Sequence, residues 1–335
     1  MRKATIRDVA AAAGVSYQTV SRVINHRPNV AEETRRRVWQ VIEELGYQPS
    51  AIARGLVSKR TYTLGLINAD FGDPFYAEVV IGAEAVAREH GYFFMISSTE
   101  RNPDGKPVYL RLLTEREVDG ILFVRPSTEQ DNRHIISMLH QGIPLVTTAY
   151  HVPGARFTVV DVDNVDGGIK ATRCLIDIGH RRIGMITGPP GWESVRNRTQ
   201  GYVLALEQAG IPYNESLIEH GDWSYASGYE AMKRLLDRGV HFTALFIQND
   251  RMAIGAIHAL REAGRRVPDD VAIVGYDDNP MAAYCCPPLT TIRQPTREVG
   301  AVAVYQLLEL IENPDAERKE ILLPVELVRR ASCGG

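Results

Sequence analysis

A chain of 335 residues is longer than one hydrophobic core usually serves, so two or three domains are expected, and 44% hydrophobic with 24% charged residues is the composition of an ordinary soluble protein. The net charge of −3 is unevenly held: residues 1 to 60 carry 11 Lys and Arg against 5 Asp and Glu, or +6, which leaves −9 on the remainder. A basic head on an acidic body suits phosphate contact at one end.

Residues 6 to 25, IRDVAAAAGVSYQTVSRVIN, read as two short helices around a tight turn. Thr5 is placed to cap the first, whose Ile6, Val9, Ala10 and Ala13 fall at i, i+3, i+4 and i+7 before Gly14 ends it. Ser16 can cap the second, with Val20, Val23 and Ile24 on its buried side and Tyr17, Gln18, Ser21, Arg22 and Asn25 on the other. A Gly-containing turn between two such helices is the helix-turn-helix signature. The outward face suits the major groove: Gln18 can pair bidentately with adenine, Arg22 with guanine, and Tyr17 offers a ring for a thymine methyl and a hydroxyl. Ser16, Thr19, Ser21 and Asn25 would then reach phosphates, beside the partial positive charge of the helix N-terminus. An amphipathic helix pair in any all-α protein also shows a polar face; the local basic charge favours DNA.

In EETRRRVWQVIEELGY, Val38, Val41, Ile42 and Leu45 make the stripe of a third helix ended by Gly46. Gln48 and Pro49 break the chain, and Ser50 can cap a very short helix, AIARGLV, that is too short to hold itself together. Its Leu56 is apolar with no evident core to join. The segment reads equally as a coupling hinge or an ordinary tether.

From Thr63 the pattern becomes strands alternating with amphipathic helices, which indicates parallel sheets covered on both faces. Strands fall at TLGLI, YFFMI, GILFV, PLVTTA and TVVDVD, with helices near 75–90, 105–117 and 130–141. A second series follows, with helices near 165–178, 195–210, 226–238 and 250–264 between strands at RIGMITG, 217–220, ALFIQ and VAIVGY. Last come TTIRQ, a helix near 296–312 and one final strand within ILLPVELVRRAS. Nine or ten strands in two such series make two similar lobes, with a cleft at the carboxyl ends of the strands. The polar and aromatic residues at those ends are Asp70, Phe75, Tyr76, Asp163, Arg198, Trp223, Asn249, Asp250, Asp277, Asp278 and Gln294. Loop ends are polar in any protein, but together these residues supply aromatic faces, one Arg and several acceptors, a set suited to a small polyhydroxylated molecule.

Other chemistry has little support. Cys174, Cys285, Cys286 and Cys333 form no CxxC or Cys/His spacing, so free thiols and no metal site are expected. GPPG at 188–191 lacks the Lys and Ser or Thr of a phosphate loop, and neither a GxSxG elbow nor an HExxH is present. The N-terminus has no apolar signal core and no run approaches membrane-spanning length, so a cytoplasmic protein is expected.

The run TIRDVAAAAGVSYQTVSRVIN, the hinge PSAIARGL, then FYAE, GHRRIG, NDRMAIGA, VGYDD and PPLTTIRQP resemble, in order and spacing and along the whole chain, the lac repressor and gal repressor family. The resemblance implies an α/β chain with an N-terminal helix-turn-helix head plus hinge helix, then a two-lobed core similar to periplasmic binding proteins, built on two parallel doubly wound sheets. The head would span 1–48, the hinge 49–60 and the core 61–335, with an N-lobe of about 61–161 and 293–320 and a C-lobe of about 162–292 and 321–335. DNA contact would fall to Thr5, Ser16, Tyr17, Gln18, Thr19, Ser21, Arg22, Asn25, Ala53 and Leu56, with Tyr17, Gln18 and Arg22 matching the lac repressor's base-reading triplet and Leu56 entering the minor groove. The family's effector positions fall on Phe75, Asp163, Arg198, Trp223, Asn249, Asp277 and Gln294. Trp223 and Asn249 resemble the sugar-responsive lac repressor more than the purine-responsive member, whereas Arg125 and the loop near 70–76 follow other members.

The expected function is a sequence-specific repressor of carbohydrate-utilisation genes, not an enzyme, released from double-stranded operator DNA by a small sugar and using no cofactor. A homodimer is expected because the chain ends after its last strand without a heptad segment. The alternatives are a sugar-binding protein with no DNA role, disfavoured by the basic head, and a family member with a purine or co-repressor effector.

Overall fold

The computed structural model describes residues 4–24, 28–47, 60–68, 72–98, 118–124, 129–149 and 156–334. The chain divides into two compact units, Met1–Thr63 and Leu64–Gly335.

The first unit holds α1 (Ile6–Ala13), α2 (Tyr17–Ile24) and α3 (Glu32–Leu45). Thr5 begins α1 with a capping box, its hydroxyl accepting from the Asp8 amide while the Asp8 carboxylate accepts from the Thr5 amide at 2.8 Å. Gly14 ends the helix at φ 64°, left-handed backbone that glycine adopts without penalty. Ser16 caps α2 through the Thr19 amide at 3.1 Å. Val9, Ala10, Ala13, Val20, Val23, Val38, Val41 and Ile42 form a common core, with Ile6 and Ile24 partly buried against it. Leu45, expected on the buried stripe of α3, is exposed as the last residue of that helix. The hinge helix with Ala53 and Leu56, the helix expected near 105–117, and residues Asn25, Asp70 and Arg125 lie outside the described residues.

The second unit is two sheets. The N-lobe sheet runs β11-β5-β4-β3-β1-β2, from Glu320–Leu323, Thr158–Val162, Leu145–Thr148, Gly120–Phe123, Thr63–Asn68 and Phe93–Ser98. The C-lobe sheet runs β12-β10-β9-β8-β6-β7, from Glu326–Val328, Thr290–Arg293, Ala272–Asp277, Ala244–Ile247, Ile183–Thr187 and Ile218–His220. Strand order reverses beside β1 and beside β6, as in doubly wound sheets, and the carboxyl ends at those reversals are where such sheets bind ligands. Helices α4 (Pro74–Glu89), α5 (Glu129–His140) and α10 (Thr296–Glu312) belong to the N-lobe; α6 (Asn164–Asp177), α7 (Glu193–Gln208), α8 (Tyr225–Asp237) and α9 (Asp250–Glu262) belong to the C-lobe.

The sequence suggested one closing strand, but there are two, in different sheets: β11 pairs parallel with β5, and β12 pairs antiparallel with β10. Pro324 and Val325 separate them, and proline cannot continue a ladder. The described strands therefore number twelve rather than nine or ten, the C-lobe sheet carries one antiparallel edge, and the third crossing between lobes follows Leu323, later than the 320/321 boundary. The other two crossings follow β5 and β10. Within the C-lobe α6 and α7 touch through glycine, since a Cβ on Gly168 would run into the Arg198 carbonyl. That close approach fixes the height at which α7 presents Arg198 to the cleft.

Candidate functional site

On α2 the expected reading face is outward. Tyr17 is 57% exposed, Gln18 and Arg22 are exposed, and Thr19 and Ser21 are half-buried. Ser16 and Thr19 share a hydroxyl pair at 2.9 Å, so both already serve the helix start they were expected to extend to phosphates. Thr5 is likewise bonded to Asp8, 2.7 Å from hydroxyl to carboxylate.

In the second unit a cavity opens between the lobes, with about 380 Å3 of space not filled by protein atoms when the open solvent at its mouth is included. Asp73, Phe75 and Tyr76 line it from the N-lobe, Trp192, Ser194, Arg198, Trp223, Asn249 and Asp277 from the C-lobe, and Gln294 from the crossing after β10. Six of the seven expected effector positions therefore meet in one place. Asp163, the seventh, is not among the lining residues: it starts α6, and its carboxylate accepts from the Asp166 amide at 2.8 Å. The residues missed were Asp73, Trp192 and Ser194.

Arg198 is held on three sides. Its Nε donates to Asn164 Oδ1 at 2.8 Å, Nη1 donates to the Gln248 carbonyl at 2.5 Å, and the guanidinium lies 3.6 Å from the Tyr276 ring centroid. Nη1 is also 3.9 Å from Asp277 Oδ1. Held this way, the cation is already desolvated and oriented. Asp277 lies at φ 115°, costly backbone for a side chain with a Cβ, and accepts from Gln294 Nε2 at 2.6 Å. Burial pushes its carboxyl well above the ordinary carboxylate range, while the Arg198 charge draws it back and Asp250 and Asp73 push it further up. The site thus sets one guanidinium and two acidic side chains, Asp73 and Asp277, in a recess, where hydroxyl groups find donors and acceptors together.

The aromatic wall is Trp223, also at positive φ (76°), edge-on to Trp192 at 5.7 Å between centroids. Phe75 and Tyr76 meet edge-on at 5.0 Å on the other side. Trp223 stands against Gly188, where any Cβ would run into the indole. Its buried Nε1 has no hydrogen-bond partner among the described residues, an unpaired donor that costs free energy. Asn249 caps α9 through the Met252 amide at 2.8 Å and donates to the Trp223 carbonyl at 3.0 Å, so one amide sets both the helix and the indole.

Two neighbouring acids that the sequence placed beside these do other work. Asp278 is bridged by Arg293 at 2.7 Å and Arg330 at 2.6 Å, tying β9 to β10 and the last segment. Asp250 is fully buried and accepts from Thr291 Oγ1 at 2.5 Å and the Asn279 amide at 2.7 Å. Among the described residues no cluster of His, Cys, Asp or Glu is placed to hold a metal ion, and no helix is long and apolar enough to cross a membrane.

Residues 5–50 match the description of bacterial regulatory proteins of the lacI family, and residues 172–333 that of a periplasmic binding protein-like domain. The HTH-type transcriptional repressor PurR of Proteus mirabilis is 41% identical over 332 residues, covering 98% of this chain and 96% of its own. The HTH-type transcriptional regulator CelR of Thermobifida fusca is 38% identical over 338 residues, covering 99% and 98%. Among solved structures, a CelR complex with cellobiose is 37% identical with a TM-score of 0.76, covering 98% of this chain and 99% of its own. A lac repressor dimer bound to operator and the anti-inducer ONPF is 31% identical with a TM-score of 0.85, covering 99% of each chain.

Proposed function

The chain belongs to the lacI family of bacterial regulatory proteins, and from that premise we propose that it represses carbohydrate-utilisation genes and is released from its operator by a small sugar. The head, 1–48, reads bases through Gln18 and Arg22 with help from Tyr17, and the segment 49–60 carries Leu56 into the minor groove. Both act from a homodimer whose two heads match two half-sites of a pseudo-palindromic operator in the cytoplasm. The core, 61–335, binds the sugar and has no catalytic role.

The observation that carries the sugar reading is the cavity's chemistry. Asp277 and Arg198 face one another 3.9 Å apart beside Gln294, with Trp223 and Phe75 as apolar walls. A sugar presents hydroxyls that donate and accept on its edges and C–H groups on its faces, which matches polar ends between aromatic rings. A carboxylate acceptor next to a guanidinium satisfies vicinal hydroxyls. The complex of the related CelR with cellobiose supports the same class.

Because three connections cross between the lobes, a sugar that favours one lobe arrangement also moves the starts of both hinge segments in the dimer. A hinge helix too short to hold itself together needs a bias of only about 1–3 kcal/mol to form or melt. A purine effector is the second reading, favoured by the relatives named PurR. A thermal-shift screen of the full chain against mono- and disaccharides and purine bases tests both: a sugar that raises the melting temperature with saturation supports the first reading, and a response to purine bases alone overturns it.

A further inference from the structure

We propose that Arg251 is a positioning residue for the cavity, holding the N-lobe wall against the C-lobe through an ion pair with Asp73 that latches the cleft; its bearing on ligand affinity rests on the effector-site reading above. Asp73 has two duties. Its Oδ1 accepts from the Phe75 amide at 3.0 Å and so starts α4, while Oδ2 meets Arg251 Nη1 at 3.4 Å. The same residue lines the cavity with Phe75 and Tyr76, so the cap that orders α4 also sets where both rings stand.

Arg251 comes from the opposite lobe. It is the second residue of α9, two after Asn249, and it does not itself line the cavity. Its guanidinium lies 5.4 Å from the Tyr225 ring centroid. Tyr225 is the first residue of α8, in the C-lobe. Arg251 is therefore placed beside a ring of its own lobe, and reaches across the cleft to Asp73.

The side chains of Asp73 and Arg251 are 13% and 23% exposed, which sets this pair apart from the solvent-screened pairs of the surface. If the lobes part, Arg251 keeps Tyr225 while Asp73 loses its cation beside a cavity that also holds Asp277. The pair thus exists only in this lobe arrangement and favours it, and any ligand that needs the arrangement benefits.

The test places nitroxide labels at Glu84→Cys on α4 and Asp237→Cys on α8, in the full-length chain with Cys286→Ser, diluted with unlabelled protein. The inter-lobe distance is read by pulsed electron resonance. Arg251→Ala should lengthen or broaden the distribution. Asp73→Asn, which keeps the cap oxygen, should do the same; Arg251→Lys should restore much of it; and the double variant should add nothing to either single change. An unchanged distribution in Arg251→Ala, or single effects that sum in the double variant, would overturn the latch. Titration with cellobiose gives the second readout, where Arg251→Ala should weaken binding roughly tenfold. A widened cleft with unaltered cellobiose affinity would remove Arg251 from the positioning of the site. If cellobiose binds neither parent nor variant, the ligand class is at fault, and the distance measurement still decides the latch.

Discussion

Replacing Asp250 with Asn should change how the core's stability depends on pH. Asp250 is fully buried at the start of α9, and burial is the main reason its carboxyl is pushed up from 3.8 to about 7; the bonds from Thr291 and Asn279 act the other way, and Asp278 adds to the rise. A folded-state value above the unfolded one means the native protein holds the proton more tightly, so the associated stability is fully present below about pH 4 and is lost as pH rises through 7. A shift from 3.8 to about 7 corresponds to about 4 kcal/mol at 1.36 kcal/mol per unit. Asn places an NH2, which cannot accept, where one of the two Asp250 oxygens meets Thr291 or the Asn279 amide, so near pH 4, where the parent side chain is protonated and neutral, the variant should be no more stable than the parent. By pH 8 the parent carries a buried charge that Asn lacks, and the comparison should move in the variant's favour. The assay is urea unfolding of parent and variant from pH 4 to 8, followed by tryptophan fluorescence, since all three tryptophans of the chain, Trp39, Trp192 and Trp223, report and two of them lie in the core. A stability difference that stays flat across that range would mean that Asp250 holds its proton no more tightly in the folded chain than in the unfolded one, because every other titrating group is common to both proteins.

Arg22→Ala should cost about 1–3 kcal/mol at the cognate operator and relax preference at a single base pair, measured by gel shift on an operator library; equal losses on random DNA would reduce Arg22 to a phosphate contact. Gly188→Ala puts a methyl where the Trp223 indole stands, so about 1–3 kcal/mol of overpacking falls on the cavity wall. Sugar affinity should drop by one to two powers of ten at about 1.4 kcal/mol each while operator binding without sugar persists; unaltered sugar affinity would mean Trp223 takes no part in binding.

The elements were legible wherever hydrophobic period and length agreed, as in α2, where Val20 and Val23 are buried and Gln18 and Arg22 exposed as their spacing requires. The end of the chain was not: ILLPVELV reads as one apolar strand, and only pairing shows that β11 and β12 go to different sheets. At the cavity, position at a strand's carboxyl end identified Trp223, Arg198 and Asp277, but the rule cannot separate an acid that faces the cleft from one that caps a helix or bridges arginines. Asp163 caps α6, and Asp278 is taken by Arg293 and Arg330. Asp73 was missed because Asp before Pro at a helix start is explained by capping alone, and its second duty appears only when Arg251 arrives from 178 residues away. Trp192 follows β6 in GPPGWES, so the strand-end rule could have found it once extended past the glycines.

On the proposed function, sugar in the core and operator at the head are energetically linked, and thermodynamics makes the link reciprocal. Operator affinity should be measured by fluorescence anisotropy with and without saturating sugar, and sugar affinity by titration with and without saturating operator, at one salt concentration. The expected result is weakening of operator binding by sugar and of sugar binding by operator, by the same factor of roughly 5 to 150. A factor of one would contradict the link itself, and tighter operator binding in the presence of sugar would contradict release.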